Sequence, residues 1–385
     1  MKKLIIITLL FLAGQVKVSG QTYYTEVTNS DMLHQANRTG SSTRVEFILP
    51  DSIGGYIPLK ADLHLHTYFS DGHLSSSARV REAWLDGLDA IAVTDHIEYH
   101  PADADMIGYL GTTLPSGIEA HNVNKKPNVK PKQDLNKSVE LAKKASVSYG
   151  LLIIPGTEIT REPKSIGHYN ALFTTDNNSI YDPDPLTAIR NAKAQGALVM
   201  HNHPGWRRES IQHPDFELKA YGEGLIDGIE TNNGVAFCPG TIDRAKKYNL
   251  FVASTTDLHN TSFEEYIGRG LRRDMTIILA KDRSLDAMRD ALENRRTIGY
   301  GAGGTLMGQE DLLRQLFMSC VSISPVNGHN IQLKNTTSLR FIIHPDGKNP
   351  IVLPEFSSII LYGKDRQFSV DNAWTGADSF LRISL

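Results

Sequence analysis

Between residues 56 and 260, short apolar runs alternate with stretches that have helical spacing. Seven of the runs predict strands, and in chain order they read YIPLKADLHLH, DAIAVTDH, LLIIPGTEIT, HYNALFTT, ALVMHNHP, DGIETNNG and LFVASTTDLHN. Continuous apolar runs joined mostly by helices are typical of a parallel sheet with both faces covered. So many repeats favour a closed barrel related to the eight-fold β/α type, although an open sheet fits the same pattern.

The chain changes character after the helical stretch SLDAMRDALENRR. Residues 317–385 read as short alternating strands that are broken by the turn sequences NGHN, HPDGKNP and YGKDRQ. Short strands separated by regular turn signals predict a small all-β unit. We therefore expect an α/β barrel over residues 59–310 and a β-rich C-terminal domain over residues 317–385.

The N-terminus has the composition of an export signal. MKK supplies a positive start, LIIITLLFLAG an apolar segment, and Ser19 and Gly20 the small residues expected before a cleavage site. This pattern predicts a signal peptide over residues 1–20 and export to the periplasm or the exterior, with residues 21–58 as a polar lead-in. The alternatives are a buried helix or a membrane anchor, but a spanning helix needs about 20 apolar residues.

The charge balance and the cysteine content exclude several classes of protein. The net charge is −3, which provides no basic field for sequence-independent binding to nucleic acid or to an acidic membrane. We therefore expect a small-molecule partner. The two cysteines, Cys238 and Cys320, exclude a disulfide scaffold and finger-type zinc, and two buried thiols are expected rather than one bridge.

Residues that bind metals cluster at the predicted strand ends. His64 and His66 lie two apart in the first strand, so their side chains point to the same face and can bind one ion together with the nearby Asp71. Other strand ends carry TDH, GTE, HNHP and TDLH. Internally hydrogen-bonded core histidines would explain one isolated pair. Burying this many polar groups without a cation would be costly, so the set predicts a metal site.

The motifs taken together resemble those of the PHP (polymerase and histidinol phosphatase) family of metal-dependent hydrolases. HLHT followed by SDG, then TDH, GTE, a lone histidine at His168, HP and a closing DLH occur in that order over residues 60–260. The resemblance implies a distorted seven-stranded β/α barrel. It also implies a cluster of two or three divalent ions, for which zinc, manganese and iron are all suitable with these ligand types.

Carried onto this chain, the resemblance implies a specific set of metal ligands. One ion would be held by His64, His66, Glu158 and Asp257, a second by Glu158, His168 and His203, and a third by Asp71, His96 and His259. HNHP offers both His201 and His203, which strand alternation places on the same face. His203 is preferred because the histidine of the family motif precedes a proline.

Such a cluster predicts hydrolysis of a phosphomonoester or phosphodiester by metal-activated hydroxide, without a covalent enzyme intermediate. Asp95 and His201 are candidates for a general acid. The candidate substrate-binding residues are Arg161, Arg207 and Arg208, because each follows a ligand-bearing strand. Trp206 is a candidate to pack against a substrate ring or to cap the barrel mouth. Tyr99, His100 and His121 are candidates for a lid, although most loop histidines are simply exposed.

Two other functions fit the same sequence. The first is hydrolysis of a non-phosphate ester, carbamate or amide by the same activated hydroxide. The second is a non-catalytic protein that binds carbohydrate or another surface through the β-rich segment, but the full set of candidate ligands speaks against it. The sequence leaves open the natural substrate, the metals and the oligomeric state.

Overall fold

The structure is a computed structural model. It divides into residues 1–44 and a compact unit, Val45–Leu385. The described residues are 44–101, 133–161, 166–212, 214–234, 236–301, 303–363 and 366–385. The predicted signal peptide, most of the lead-in, and His121 of the predicted lid lie outside these ranges.

Strands and helices alternate along most of the compact unit, and the last part of the chain, residues 321–384, contains strands. The strands are β1 (Ile57–Asp62), β2 (Ala90–Val93), β3 (Leu152–Arg161), β4 (Gly167–Leu172), β5 (Leu198–Asn202), β6 (Gly228–Asn233), β7 (Ala236–Phe237), β8 (Phe251–Thr255), β9 (Met275–Ala280), β10 (Thr297–Gly301), β11 (Thr305–Gly308), β12 (Val321–Asn327), β13 (Asn330–Asn335), β14 (Phe341–Pro345), β15 (Ile351–Leu353), β16 (Ser358–Leu361), β17 (Gln367–Gly376) and β18 (Ser379–Ser384). The described α-helices are α1 (Ser76–Leu85), α2 (Lys137–Ser146), α3 (Pro185–Ala194), α4 (Asp215–Gly222), α5 (Gly240–Tyr248), α6 (Ser262–Glu265), α7 (Leu285–Glu293) and α8 (Glu310–Cys320).

Strands β1 to β6 and β8 correspond to the seven strands predicted from the sequence. They are adjacent in the order β1-β2-β3-β4-β5-β6-β8; β4 is antiparallel to both β3 and β5, and the other pairs are parallel. The segment that follows β8 lies beside the segment that follows β1, where the amide of Asp257 donates to the carbonyl of His64 at 2.9 Å. The α/β class and the distorted barrel-like arrangement agree with the prediction.

Strands β9 to β11 extend this sheet and were not predicted. β9 lies antiparallel beside β1, and β10 and β11 continue from it as antiparallel neighbours. Buried aliphatic side chains fill both faces of the central strands, and all four residues of β2 are buried. Burial on both faces explains why these strands have continuous apolar sequences rather than alternating ones.

The β-rich C-terminal segment is present, but most of it is not a sheet of its own. β14, β15, β17 and β18 belong to the large sheet, which they join through the parallel pair of β11 and β17, whereas β12, β13 and β16 form a separate three-stranded sheet. Phe341 and Leu381 of this segment share one apolar core with Val80 and Leu258 of the barrel region. The segment therefore packs as a continuation of the barrel.

Two smaller expectations concern the thiols and the membrane. Cys238 and Cys320 are both free, and Cys320 is buried while Cys238 is half-buried. Within the described ranges, none of the helices has both the length and the apolar character needed to span a bilayer.

Candidate metal centre

The candidate ligands lie at one end of the barrel, where most of the strands that carry them finish. His168 lies at the start of β4 and pairs with Thr160 of β3. It reaches the same end of the barrel because an antiparallel strand begins where its parallel neighbours end. The structure brings all of the predicted metal ligands together at this end: His64, His66, Asp71, His96, Glu158, His168, His203, Asp257 and His259. The side chains of Asp71, Asp257 and His259 are 22%, 21% and 34% exposed and form the open side of the cluster.

The first predicted group has the closest donor atoms. Nε2 of His64 lies 3.1 Å from Nε2 of His66, and these two atoms lie 3.2 and 3.0 Å from Oδ1 of Asp257. Oε2 of Glu158 is 3.6 and 3.5 Å from the same two nitrogens. Four donor atoms around one point, two of them imidazole nitrogens, form a set suited to a divalent ion.

The second group surrounds the other oxygen of the same carboxylate. Oε1 of Glu158 lies 3.3 Å from Nδ1 of His168 and 3.8 Å from Nε2 of His203. The two imidazole rings are 4.9 Å apart. Glu158 thus faces the first group with one oxygen and the second group with the other, as the resemblance implied for a bridging ligand.

The third group is centred on Asp71. Its Oδ1 lies 3.4 Å from Nε2 of His96, 3.2 Å from Nε2 of His259 and 3.8 Å from Nδ1 of His66. His66 therefore contacts the first group through Nε2 and the third group through Nδ1. This proximity places the three groups in one continuous cluster.

Two carboxylate oxygens show that the set fits cations. Oδ1 of Asp71 lies 3.2 Å from Nε2 of His259, and Oε2 of Glu158 lies 2.7 Å from Nδ1 of His96. Both oxygens are buried, and among the described residues neither contact has the geometry of a hydrogen bond. Unsatisfied buried carboxylate oxygens are costly unless a cation is bound. The mixture of imidazole and carboxylate donors suits divalent ions such as zinc, manganese or iron, so the residues present fit a metal centre.

Burial and charge shift the pKa values of the cluster in opposite directions. Burial lowers the pKa of His259, but its contact with the Asp71 carboxylate and the charge of Asp257 raise it to about 9. Burial also lowers the pKa of His64, but the nearby carboxylates raise it well above its ordinary value. Burial raises the pKa of Glu158, but the neighbouring histidines hold it well below its usual range. Without a cation the cluster therefore binds protons, which a metal ion must displace.

The loop after β1 is folded by residues of the predicted SDG and TDH motifs. Asp95 accepts hydrogen bonds from the amide of Thr67 at 2.7 Å, the hydroxyl of Thr67 at 2.8 Å and the hydroxyl of Ser70 at 2.8 Å. Gly72 closes the loop, since a Cβ there would lie 2.5 Å from the carbonyl of His66. The carboxylate of Asp95 is thus engaged in holding the loop that carries Asp71. A role as general acid, which stays a prediction, would require Asp95 to give up some of these hydrogen bonds.

His201 points away from the cluster. Its Nδ1 is 2.8 Å from the hydroxyl of Tyr221 on α4, its ring stacks on Tyr169 at 4.9 Å, and its Nε2 lies 3.4 Å from Glu217. The prediction that His201 and His203 share a face is wrong, because His203 has a φ of +25° and turns its ring inward where the strand ends. His201 is therefore not placed to act as a general acid at the cluster.

The candidate substrate-binding arginines have different surroundings. Arg208 forms an ion pair with the buried Glu217, so it anchors the loop after β5. Arg207 is exposed, and its guanidinium lies 4.2 Å from the ring centroid of Trp206, which is itself 5.3 Å from the ring of His168. Of the three arginines, Arg207 is the one whose described surroundings place it at the exposed rim of the cluster. Arg161 is the last residue of β3, and its side chain lies outside the described part.

The described part of the predicted lid is fixed in place. His100 is buried, and its two ring nitrogens lie 2.6 Å from the carbonyl of Phe69 and 2.7 Å from that of Ile97. His100 therefore ties this segment to the loop after β1. Tyr99 is half-buried, with its ring 6.1 Å from that of His96.

Glu230 on β6 is a site residue that sequence reasoning missed. Its Oε1 lies 2.7 Å from Nδ1 of His64, and its Oε2 accepts a hydrogen bond from the amide of His203 at 2.7 Å. A carboxylate on the second ring nitrogen fixes the tautomer of a ligating histidine, so Glu230 leaves Nε2 of His64 free to bind an ion. A glutamate inside the predicted strand DGIETNNG was the signal that could have identified it.

A model of the PHP domain matches residues 62–271. A two-domain protein from Bacteroides vulgatus, described as containing a predicted PHP-like metal-dependent phosphoesterase, is 32% identical, with a TM-score of 0.78 over 90% of this chain and 99% of its own. No curated protein matches the chain.

Two other solved structures are more distant. An amidohydrolase from Chromobacterium violaceum, with bound sulfate and no metal, is 14% identical over 53% of this chain and 89% of its own, with a TM-score of 0.38. The lesion-specific endonuclease PfuEndoQ from Pyrococcus furiosus is 14% identical over 66% of this chain and 59% of its own, with a TM-score of 0.39. The domain match covers more than half of the sequence, and the Bacteroides protein matches nearly all of it. The chain belongs to the PHP family.

Proposed function

We propose that this protein hydrolyses phosphate esters with the help of two or three divalent metal ions. The observation that carries the proposal is the bridging position of Glu158, which offers one oxygen to each of two histidine groups within a single cluster. Family membership and the resemblance to a PHP-like metal-dependent phosphoesterase support the same class of reaction.

The chain contributes the shape and the charge of the site. Divalent ions held by these residues would lower the pKa of a bound water and would offset the negative charge that a phosphoryl group brings. Asp71, Asp257 and His259 line the open side, so a substrate phosphate approaches from that direction. Arg207, held over Trp206 at the rim, supplies a positive charge for an anionic substrate. His201 is not placed to donate a proton here, and Asp95 could do so only by giving up hydrogen bonds that it accepts.

The proposal extends to the setting in which the protein works. The N-terminal sequence supports export with removal of about the first 20 residues, and the net charge of −3 supports a phosphorylated small molecule as substrate rather than a nucleic acid. Mass spectrometry of the protein secreted by its host tests the first point. A mass that includes residues 1–20 would contradict it.

Elemental analysis and a substrate panel test the reaction. The purified protein is expected to hold two or three ions and to cleave a phosphomonoester or a phosphodiester, with loss of cleavage after chelation and recovery on adding zinc, manganese or iron(II). Asp257→Asn is expected to lower the ion content and the rate. His344→Gln is the matched control, since His344 forms its own pair with Asp371 at 2.7 Å in the C-terminal segment.

The outcomes separate the candidate reactions. Bound metal with cleavage of carboxylic esters, carbamates or amides but not of phosphate esters would replace the proposed bond with another. A protein that binds no divalent ion would refute the mechanism. Equal losses of activity in Asp257→Asn and His344→Gln would show that the reaction does not take place at the cluster.

A further inference from the structure

A network of buried ion pairs joins α1 to the start of β9. Nη1 of Arg79 lies 2.9 Å from Oε1 of Glu82, and Nη1 of Arg273 lies 3.9 Å from the same oxygen. Arg273 also binds Asp62 at 2.7 Å and Asp86 at 3.0 Å. Within this buried network of Arg79, Glu82, Arg273, Asp62 and Asp86, both guanidinium groups are nearly inaccessible, with side-chain exposures of 0% and 1%.

One end of the network binds the backbone of two ligand-bearing segments. Nε of Arg79 donates to the carbonyl of His66 at 2.8 Å, Nη2 to the carbonyl of Leu258 at 2.9 Å, and Nη1 to the carbonyl of Asn260 at 2.6 Å. His66 is a candidate ligand, and Leu258 lies between two others. A single side chain thus connects two segments that are far apart in sequence.

The other end of the network binds the same two segments from Asp62. Its carboxylate accepts from the amide of His64 at 3.3 Å, and from the amide and the hydroxyl of Thr256 at 3.2 and 2.5 Å. Thr256 directly precedes the candidate ligand Asp257. The network therefore connects the segment that follows β1 to the segment that follows β8 at two places, through Arg79 and through Asp62.

The chemistry of this network favours positioning over stability. Burying several charges carries a desolvation cost that often cancels their attraction, so a buried ion pair is weak support for a fold. A guanidinium, in contrast, has five donors in a rigid planar fork and can hold three carbonyl groups at fixed angles. A lysine at position 79 would keep the charge but would offer its donors from a single nitrogen.

We propose that Arg79 is a positioning residue, which sets the separation between the segment of His64 and His66 and the segment of Asp257 and His259. The geometry of the metal centre then depends on a side chain that contacts no ion. The inference concerns ion binding, so it holds for whichever ester the protein cleaves.

The test compares two conservative substitutions of buried arginines. Arg79→Lys removes the planar guanidinium group that donates to the three backbone carbonyls beside the metal centre. Arg244→Lys is the control, since Arg244 is also buried, lies 3.6 Å from Glu217 and donates to the carbonyl of Ile211, away from the candidate ligands. Zinc affinity is measured by competition with a chelator, cobalt(II) absorption reports the ligand geometry, and thermal unfolding of the ion-free proteins reports stability.

We expect Arg79→Lys to weaken zinc binding by about 10- to 100-fold, the usual effect of removing an outer support, and to change the cobalt(II) spectrum. Arg244→Lys is expected to lower the unfolding temperature without either change. Wild-type affinity and spectrum in Arg79→Lys would overturn the proposal, as would equal losses of affinity in both variants.

A second substitution covers the case in which Arg79→Lys does not fold. Glu82→Gln leaves Arg79 in place but removes the charge that orients it, and is expected to weaken zinc binding several-fold with a smaller spectral change. An unchanged affinity in Glu82→Gln, if Arg79→Lys does not fold, would overturn the proposal. Failure of the wild-type protein to bind zinc or cobalt would overturn both this inference and the metal centre, whereas normal ion binding without phosphoesterase activity would affect the proposed function alone.

Discussion

Replacing Glu230 with glutamine separates the orientation of a ligand from its presence. Oε1 of Glu230 accepts from His64 and from the hydroxyl of Thr255, both at 2.7 Å, and Oε2 accepts from the amide of His203 at 2.7 Å and from Asn233 at 2.8 Å. The residue is 1% exposed. Glutamine has nearly the same shape but only one acceptor oxygen, so one of these two pairs of donors must face an amide NH₂ group.

Either orientation of the glutamine damages the site. If the NH₂ group faces His64, the imidazole moves its proton to Nε2, which is the atom 3.2 Å from Asp257 that would bind the ion. If it faces His203, the backbone amide of another candidate ligand loses its acceptor. A buried donor without an acceptor costs about 1–3 kcal/mol, and since 1.4 kcal/mol is tenfold in affinity, we expect about 10- to 100-fold weaker binding of the tightest ion.

The assay is zinc competition against a chelator of known affinity, with thermal unfolding of the ion-free protein beside it. Asp274→Asn is the matched control, because Asp274 is fully buried and accepts from Asn232 and Tyr266 at 2.7 and 3.0 Å. Both substitutions are expected to lower stability, but only Glu230→Gln should weaken zinc binding. Zinc affinity within twofold of wild type in a folded Glu230→Gln protein would refute the assigned role of Glu230.

Three other outcomes are expected. Zinc affinity should rise between pH 6 and pH 9, because His259 has a pKa raised to about 9 and must lose its proton to bind; a flat titration with pH would contradict this. Removing the ions should lower the unfolding temperature by several degrees, since an ion at 100 times its dissociation constant adds about 2.7 kcal/mol of stability; calorimetry with and without chelator measures it. Gly72→Ala should reduce the ion content by one, because the added Cβ would lie 2.5 Å from the His66 carbonyl and displace the loop carrying Asp71.

The predicted strands were found because burial on both faces leaves a continuous apolar sequence. β2, with the sequence AIAV, is such a case, and the structure buries all of its residues. β10 and β11 were missed because they are short and contain glycine, which is disfavoured in strands. The large sheet continues across the boundary expected before residue 317, through the pairing of β11 with β17. The sequence did not predict this continuity because strand pairing between distant segments leaves no local signal.

Residue type identified the cluster, but it did not give the direction of each side chain. The motif order placed nine candidate ligands at one end of the barrel, where the structure also places them. Asp95 and His201 have the chemistry of proton donors, and they were assigned by that chemistry alone. Their hydrogen bonds to Thr67 and Tyr221 depend on tertiary contacts, which a sequence of this kind does not display.

The side chains of His203 and Asp257 explain why strand alternation fails at the metal centre. Both residues have positive φ, +25° and +54°, although neither is glycine. A positive φ costs a non-glycine residue roughly 1–3 kcal/mol, and such strain persists where the surrounding contacts enforce it. Here the amide of His203 is bound by Glu230, and the amide of Asp257 by the carbonyl of His64. The same contacts that enforce the strained backbone therefore also support the first candidate ligands, so the turn that redirects each side chain is part of the site.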